Sequence, residues 1–161
     1  MAAGLAMRVR LQPEGLVPLT ALAVWQRHLL QNPPHALPPA EALFIGRVRS
    51  TTASGTPLQA LELEHYPGMT EAQIERLALA VAARHGLAQV LVEHRVGRVL
   101  PGEAIVLVAV GADRRGPAQR GCLELLEGLK HDAPFWKREW SGGVGRWVEG
   151  NTPLSRVQES L

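Results

Sequence analysis

The stretch Gln89–Val110, QVLVEHRVGRVLPGEAIVLVAV, decides how the rest of the chain is read. Two apolar, β-branched runs, Gln89–Val96 and Glu103–Val110, flank Pro101-Gly102, a pair that turns a chain sharply. They predict two strands with a turn between them. On the N-terminal side, Ile74, Leu77, Ala78, Val81 and Ala82 recur at helical spacing. Thr70 and Gln73 fit a capping box at the start of that helix, after the Pro67-Gly68 turn, and Gly86 fits its C-terminal cap. On the C-terminal side Pro117 stands where a helix can begin. Ala118, Cys122, Leu125, Leu126 and Leu129 form its buried stripe, Lys130 ends it, and Pro134 forbids much continuation.

Further out, Leu58–Tyr66 alternates wet and apolar positions, and the run from Ala42, ALFIGRVRS, mixes aliphatic and aromatic residues; both predict strands. Thr51–Pro57 between them reads as a loop, Met7–Leu11 as a short strand, and Leu16–Leu30 as a helix with Pro18 in its first turn. Trp147-Val148 fits a last short strand. Asn32–Pro39 holds four prolines and reads as a linker. The expected organisation is an N-terminal strand and helix segment with its Pro-rich linker over 1–39, a main domain over 40–150, and a tail over 151–161. Helices interleave with hairpin-like strands, so the class is α+β and not a doubly wound parallel sheet.

Composition narrows the partners. The 161 residues are 46% hydrophobic and 20% charged, enough for one cored domain, and the formal charge of +2 is too small to argue for nucleic acid. No apolar run approaches the roughly 20 residues of a membrane helix. No long apolar core follows Arg8 and Arg10, so neither a membrane span nor a secretory leader is expected. The single cysteine, Cys122, cannot form an internal disulfide, which fits a cytoplasmic setting. Its place in a helical stripe reads as packing.

Lysine usage is the most informative bias. Of 17 basic residues two are lysine, Lys130 and Lys137, both within eight positions of each other. Arginine holds its proton, whereas a buried lysine can release one and act as base, acid or nucleophile. Chance clustering in an arginine-rich chain is the plain alternative. Metal-ligand spacings, a P-loop, GxGxxG and GxSxG are all absent, and the six histidines are scattered. What remains is a basic set at element ends: Arg47 and Arg49, Arg114 and Arg115, then Lys130, Lys137 and Arg138. Such groups suit phosphate or carboxylate if they converge, and are solvated surface charge if they do not. Phe135 and Trp136 supply either an apolar wall beside the lysines or ordinary anchoring of the chain turn.

FIGRVRS, LELEHYPGMTE, VLVEHRVGRVLPGE and above all LKHDAPFWKRE followed by RWVE, in that order over Ala42–Glu149, resemble the large-subunit family of molybdopterin synthase. The resemblance implies an α/β hammerhead-type fold with an additional antiparallel β subdomain, working as a homodimer. It implies a heterotetramer with a small ubiquitin-like sulfur carrier, whose C-terminal Gly-Gly thiocarboxylate would enter the pocket. The implied substrate is cyclic pyranopterin monophosphate, converted by two sulfur transfers to the molybdopterin dithiolene, and no cofactor is implied. Position by position, Lys130 and Lys137 match the family's active-site lysines. Arg49 matches the arginine after the first strand, with Val48 beside it. Phe44 matches an apolar pocket residue, Leu126 is expected in the same pocket, and Arg138 and Glu139 continue the second lysine's motif. Arg115 matches the arginine of a His-Arg pair whose histidine is here Arg114, and Arg47 stands where lysine is also familiar. A non-catalytic anion-binding module and an inactive family member are the rival readings.

Overall fold

The computed structural model describes residues 4–148, and the expected tail over 151–161 lies outside them. In chain order the elements are β1 (Ala6–Gln12), α1 (Pro18–Gln31), β2 (Ala40–Arg47), β3 (Ala60–His65), α2 (Met69–His85), β4 (Gln89–Arg95), β5 (Gly97–Val99), β6 (Ala104–Ala112), α3 (Arg115–His131), β7 (Phe135–Ser141) and β8 (Val144–Trp147).

β4 is buried at every position because both of its faces are covered. Val90 and Val92 join Val106, Val108 and Val110 of β6 against Ile74, Ala78 and Val81 of α2 and Ala118, Cys122 and Leu125 of α3. Leu91 and Leu107 point the other way, onto Trp25 and Leu29 of α1. This is the period-2 side-chain alternation of a strand serving two cores at once. The first sheet runs β1-β4-β6-β2, with β1 parallel to β4 and the other pairs antiparallel. The second, β5-β3-β7-β8, is wholly antiparallel. The expected α+β class with an added antiparallel β portion is the architecture observed.

The segment before the prolines is part of the main body: β1 pairs with β4 along its whole length. The linker is also tied down. Gln89 Nε2 donates to the Ala36 carbonyl, and Pro38 packs on Gly111 of β6.

Three local expectations change. α2 begins at Met69 and not after Thr70, and its first turn is closed by the Glu71 carboxylate, which accepts from the Gly68 N–H. Thr70 is instead buried, with Oγ1 accepting from the Tyr66 N–H at 3.0 Å. β5 lies unexpectedly between β4 and β6: the chain leaves the first sheet at Val96, makes three residues of the second, and returns. β7 has no counterpart among the expected elements: FWKREWS, after α3, is a strand bonded to β3.

Gly111 gives a direct check on the linker packing. A Cβ there would run into Pro38 Cγ and meet its Cβ at 2.9 Å, and a proline ring has no rotamer by which to yield. Gly111→Ala is expected to cost about 1–3 kcal/mol, read as a lower urea midpoint with an unchanged slope. An unchanged midpoint would mean that Pro38 does not press on β6.

Candidate active site

The seam between the two sheets opens into a cavity of about 390 Å³. Four cationic side chains and one carboxylate line it: Arg47, Arg49, Lys130, Lys137 and Glu139. The first pair comes from the end of β2. A register shift between Gly46 and Arg47 breaks the β2–β6 ladder there, and such irregularities re-aim the side chains that follow. Val48 is then anchored on both sides, its N–H to the Glu103 carbonyl at 3.0 Å and its carbonyl to the Gly102 N–H at 2.8 Å. With Val48 buried, the flanking Arg47 and Arg49 are exposed at the cavity's outer side.

The lysines come from the α3–β7 connection. The apolar stripe of α3 fixes the helix's rotation, so its last turn brings Leu126, Leu129 and Lys130 to the cavity. Asp132–Pro134 then reverses the chain, and strand alternation in β7 turns Phe135, Lys137 and Glu139 inward. Lys137 sits opposite Leu63 of β3, which is 2% exposed, and Glu139 opposite Leu61. Burial beside these apolar neighbours pushes the Lys137 ammonium below the usual lysine range, and the Lys130 charge pushes it further the same way. The seven-residue spacing thus places the chain's two ammonium groups within electrostatic reach of each other.

Phe44, Val48 and Leu126 also line the cavity. Arg138, Arg114 and Arg115 do not. Arg138 lies on the outer face of β7, stacked over Trp147 at 4.2 Å and paired with Glu64 at 3.6 Å, because its neighbour Lys137 takes the inner face. Arg114 is the N-terminal cap of α3 and Arg115 its first residue, both exposed. Fifteen helical residues separate Arg115 from Lys130, a rise of about 22 Å. So the three basic pairs do not converge within one chain: Arg47 and Arg49 meet the two lysines, and the α3 pair stands away. Sequence reasoning also missed His94, which lines the cavity from β4. Its signal was a histidine close behind the apolar run Val90–Val92, in a strand buried on both faces. Among the described residues no group of three or more His, Cys, Asp or Glu could hold a metal ion, and no helix is long and apolar enough to cross a membrane.

The family model described as MoaE protein matches residues 30–132, a span that contains Arg47, Arg49, His94 and Lys130. The molybdopterin synthase catalytic subunit of Ralstonia nicotianae is 44% identical over 118 residues, covering 73% of this chain and 66% of its own length. Among solved structures, the molybdopterin biosynthesis MoaE protein of Burkholderia ambifaria superposes with a TM-score of 0.71 at 36% identity, over 96% of this chain and 94% of that one. A complex of subunits 1 and 2 of the molybdopterin-converting factor from Helicobacter pylori, 20% identical, shares the fold at a TM-score of 0.69 over 89% of this chain and 90% of that one. With the family model spanning most of the chain, and with a relative and a full-length structural match agreeing, this chain belongs to the MoaE family, that of the molybdopterin synthase catalytic subunits.

Proposed function

We propose that this chain is the catalytic subunit of a molybdopterin synthase acting in the cytoplasm. A small ubiquitin-like carrier brings sulfur as a thiocarboxylate on its C-terminal Gly-Gly tail. Two transfers onto cyclic pyranopterin monophosphate then make the dithiolene. The observation that carries this reading is the meeting of Lys130 and Lys137 with Arg47 and Arg49 in one cavity. The exposed guanidiniums suit the substrate's phosphate and the tail's carboxylate, which arrive from water. Phe44 and Leu126 give a flat heterocycle an apolar wall. Lys137, partly stripped of water, acts more strongly on negative charge that develops as sulfur attacks. Lys130 handles proton transfer or a transient covalent bond to the substrate.

The thiol chemistry supports delivery of sulfur from outside. Cys122 is buried in the α3 stripe, does not line the cavity, and has its pKa raised by burial, all of which make it a poor nucleophile. The Helicobacter pylori complex of two subunits supports a second chain as the source. The assembly proposed is a homodimer that binds two carriers. Arg114 and Arg115, too far from Lys130 to serve the same chain's cavity, would there serve the cavity of the second copy.

Lys130→Ala is expected to reduce dithiolene formation by at least about a hundredfold in an assay with thiocarboxylated carrier and the pterin precursor, with carrier binding retained. Lys130→Arg keeps the charge but not the easily lost proton, and is expected to be nearly as inactive. Full activity of the arginine variant would reduce Lys130 to an electrostatic contact. Anion binding by the wild-type chain with no product would favour the non-catalytic module.

Sharing across the dimer has its own readout. Lys130→Ala and Arg115→Ala chains, each inactive alone, are expected to regain activity when co-refolded, because one of the two cavities in a mixed dimer then has both residues. No recovery in demonstrably mixed dimers would confine each site to one chain.

A further inference from the structure

His94 is a cavity residue for which the roles above leave no use. The residue is 8% exposed, and its ring lies on Phe135 with centroids 4.3 Å apart and planes 18° from parallel. Nδ1 is 2.6 Å from the Arg95 carbonyl oxygen. A carbonyl can only accept, so Nδ1 carries the proton and the tautomer is fixed. Burial drives the ring's pKa down to about 4, against the upward pull of that carbonyl; the charges of Lys137 and His65 add to the lowering. The ring is therefore neutral at pH 7, and Nε2 keeps its lone pair.

The rest of the lining shows what that lone pair is suited to. Arg47, Arg49, Lys130 and Lys137 only donate, Glu139 is a charged acceptor, and the Thr51 hydroxyl can do either. The guanidiniums are exposed whereas His94 is buried, so the cavity offers anion donors at its outer side and a neutral acceptor within, beside the partly buried lysines. A phosphorylated pterin has the matching polarity: a hydrated anion at one end and a flat ring with N–H and amino donors at the other. Resting on the function proposed above, we infer that His94 Nε2 accepts a hydrogen bond from an N–H of the bound pterin, fixing how the heterocycle lies while the outer cations hold its phosphate. The Arg95 carbonyl is then part of the recognition, because the opposite tautomer would present a donor to a donor. A residue serving only to pack against Phe135 would need neither nitrogen, and phenylalanine would replace it.

The test is steady-state kinetics with thiocarboxylated carrier and the pterin precursor. Wild-type product formation is the control for the functional reading; its failure would refute that reading, and everything that follows assumes an active wild type. His94→Phe keeps the ring and its stacking. It is expected to raise KM for the precursor about three- to tenfold, the worth of one neutral hydrogen bond, with kcat within about twofold. His94→Gln, whose Oε1 can stand near the place of Nε2, is expected to recover most of the loss. An unchanged KM in His94→Phe overturns the inference, and so does an equal loss in the Phe and Gln variants. Should the Phe variant not fold, the wild-type chain decides alone. In ring-15N-histidine spectra the His94 Nε2 resonance is expected to be that of an unprotonated nitrogen and to move when precursor is added without carrier. A resonance unmoved at saturating precursor overturns the inference.

Discussion

Two ammonium groups held near one another in a half-dry cavity set the terms for the rest of this molecule. Burial disfavours the Lys137 ammonium, and the Lys130 charge disfavours it further. Packing of the surrounding elements holds the pair in place. α3 buries Ala118, Cys122, Leu125 and Leu129 in the core it shares with α2 and the first sheet, which leaves its last turn no freedom to rotate Lys130 away. β7 is bonded through six residue pairs to β3, and a one-residue slip would move Lys137 outward and Arg138 inward. The outer-face stacking of Arg138 on Trp147 and its pairing with Glu64 oppose that slip.

The same frame explains why the cavity lies at the seam of two sheets. β4, β6 and β2 of the first sheet contribute His94, Val106 and the arginines, while β3 and β7 of the second contribute Leu61, Lys137 and Glu139. Arg95 fastens the seam from behind. Its guanidinium is buried and donates to Glu103 at 2.9 Å, to the Pro13 carbonyl at 3.1 Å and to the Arg98 carbonyl at 3.2 Å. It thereby ties the chain after β1 to β5 and to the approach to β6, and it fixes the carbonyl on which His94 rests. One residue thus links the stability of the seam to the tautomer of a cavity histidine.

Much of this was readable before any coordinates. The helical stripes of α2 and α3, the buried strands β4 and β6 and the bias that singles out Lys130 and Lys137 are all periodic or compositional signals, and the lysines do meet in one cavity. What stayed hidden depended on pairing partners far away in sequence. FWKREWS follows a proline with two aromatics, then three charges, then a tryptophan, so it lacks polar–apolar alternation and has no strand signal of its own until β3 is beside it. β5 is three residues long, too short to show a period. Arg114 and Arg115 looked equivalent to Arg47 and Arg49 because sequence shows that a residue is near a helix end but not which end faces a cleft. His94 was one of six scattered histidines, and its meaning appears only when Phe135 and the Arg95 carbonyl close around it.

The chain's lysine economy makes the central claim unusually easy to test. With two lysines in the sequence, 15N-lysine labelling yields two side-chain signals, and each can be titrated without overlap. If the two ammonium groups share a partly dehydrated cavity, the Lys137 signal will titrate below the ordinary lysine value. It will then move back up when Lys130 is replaced by methionine, because one of the two causes of its lowering is gone while burial remains. A Lys137 that titrates at the ordinary value and ignores the Lys130→Met change would contradict the account.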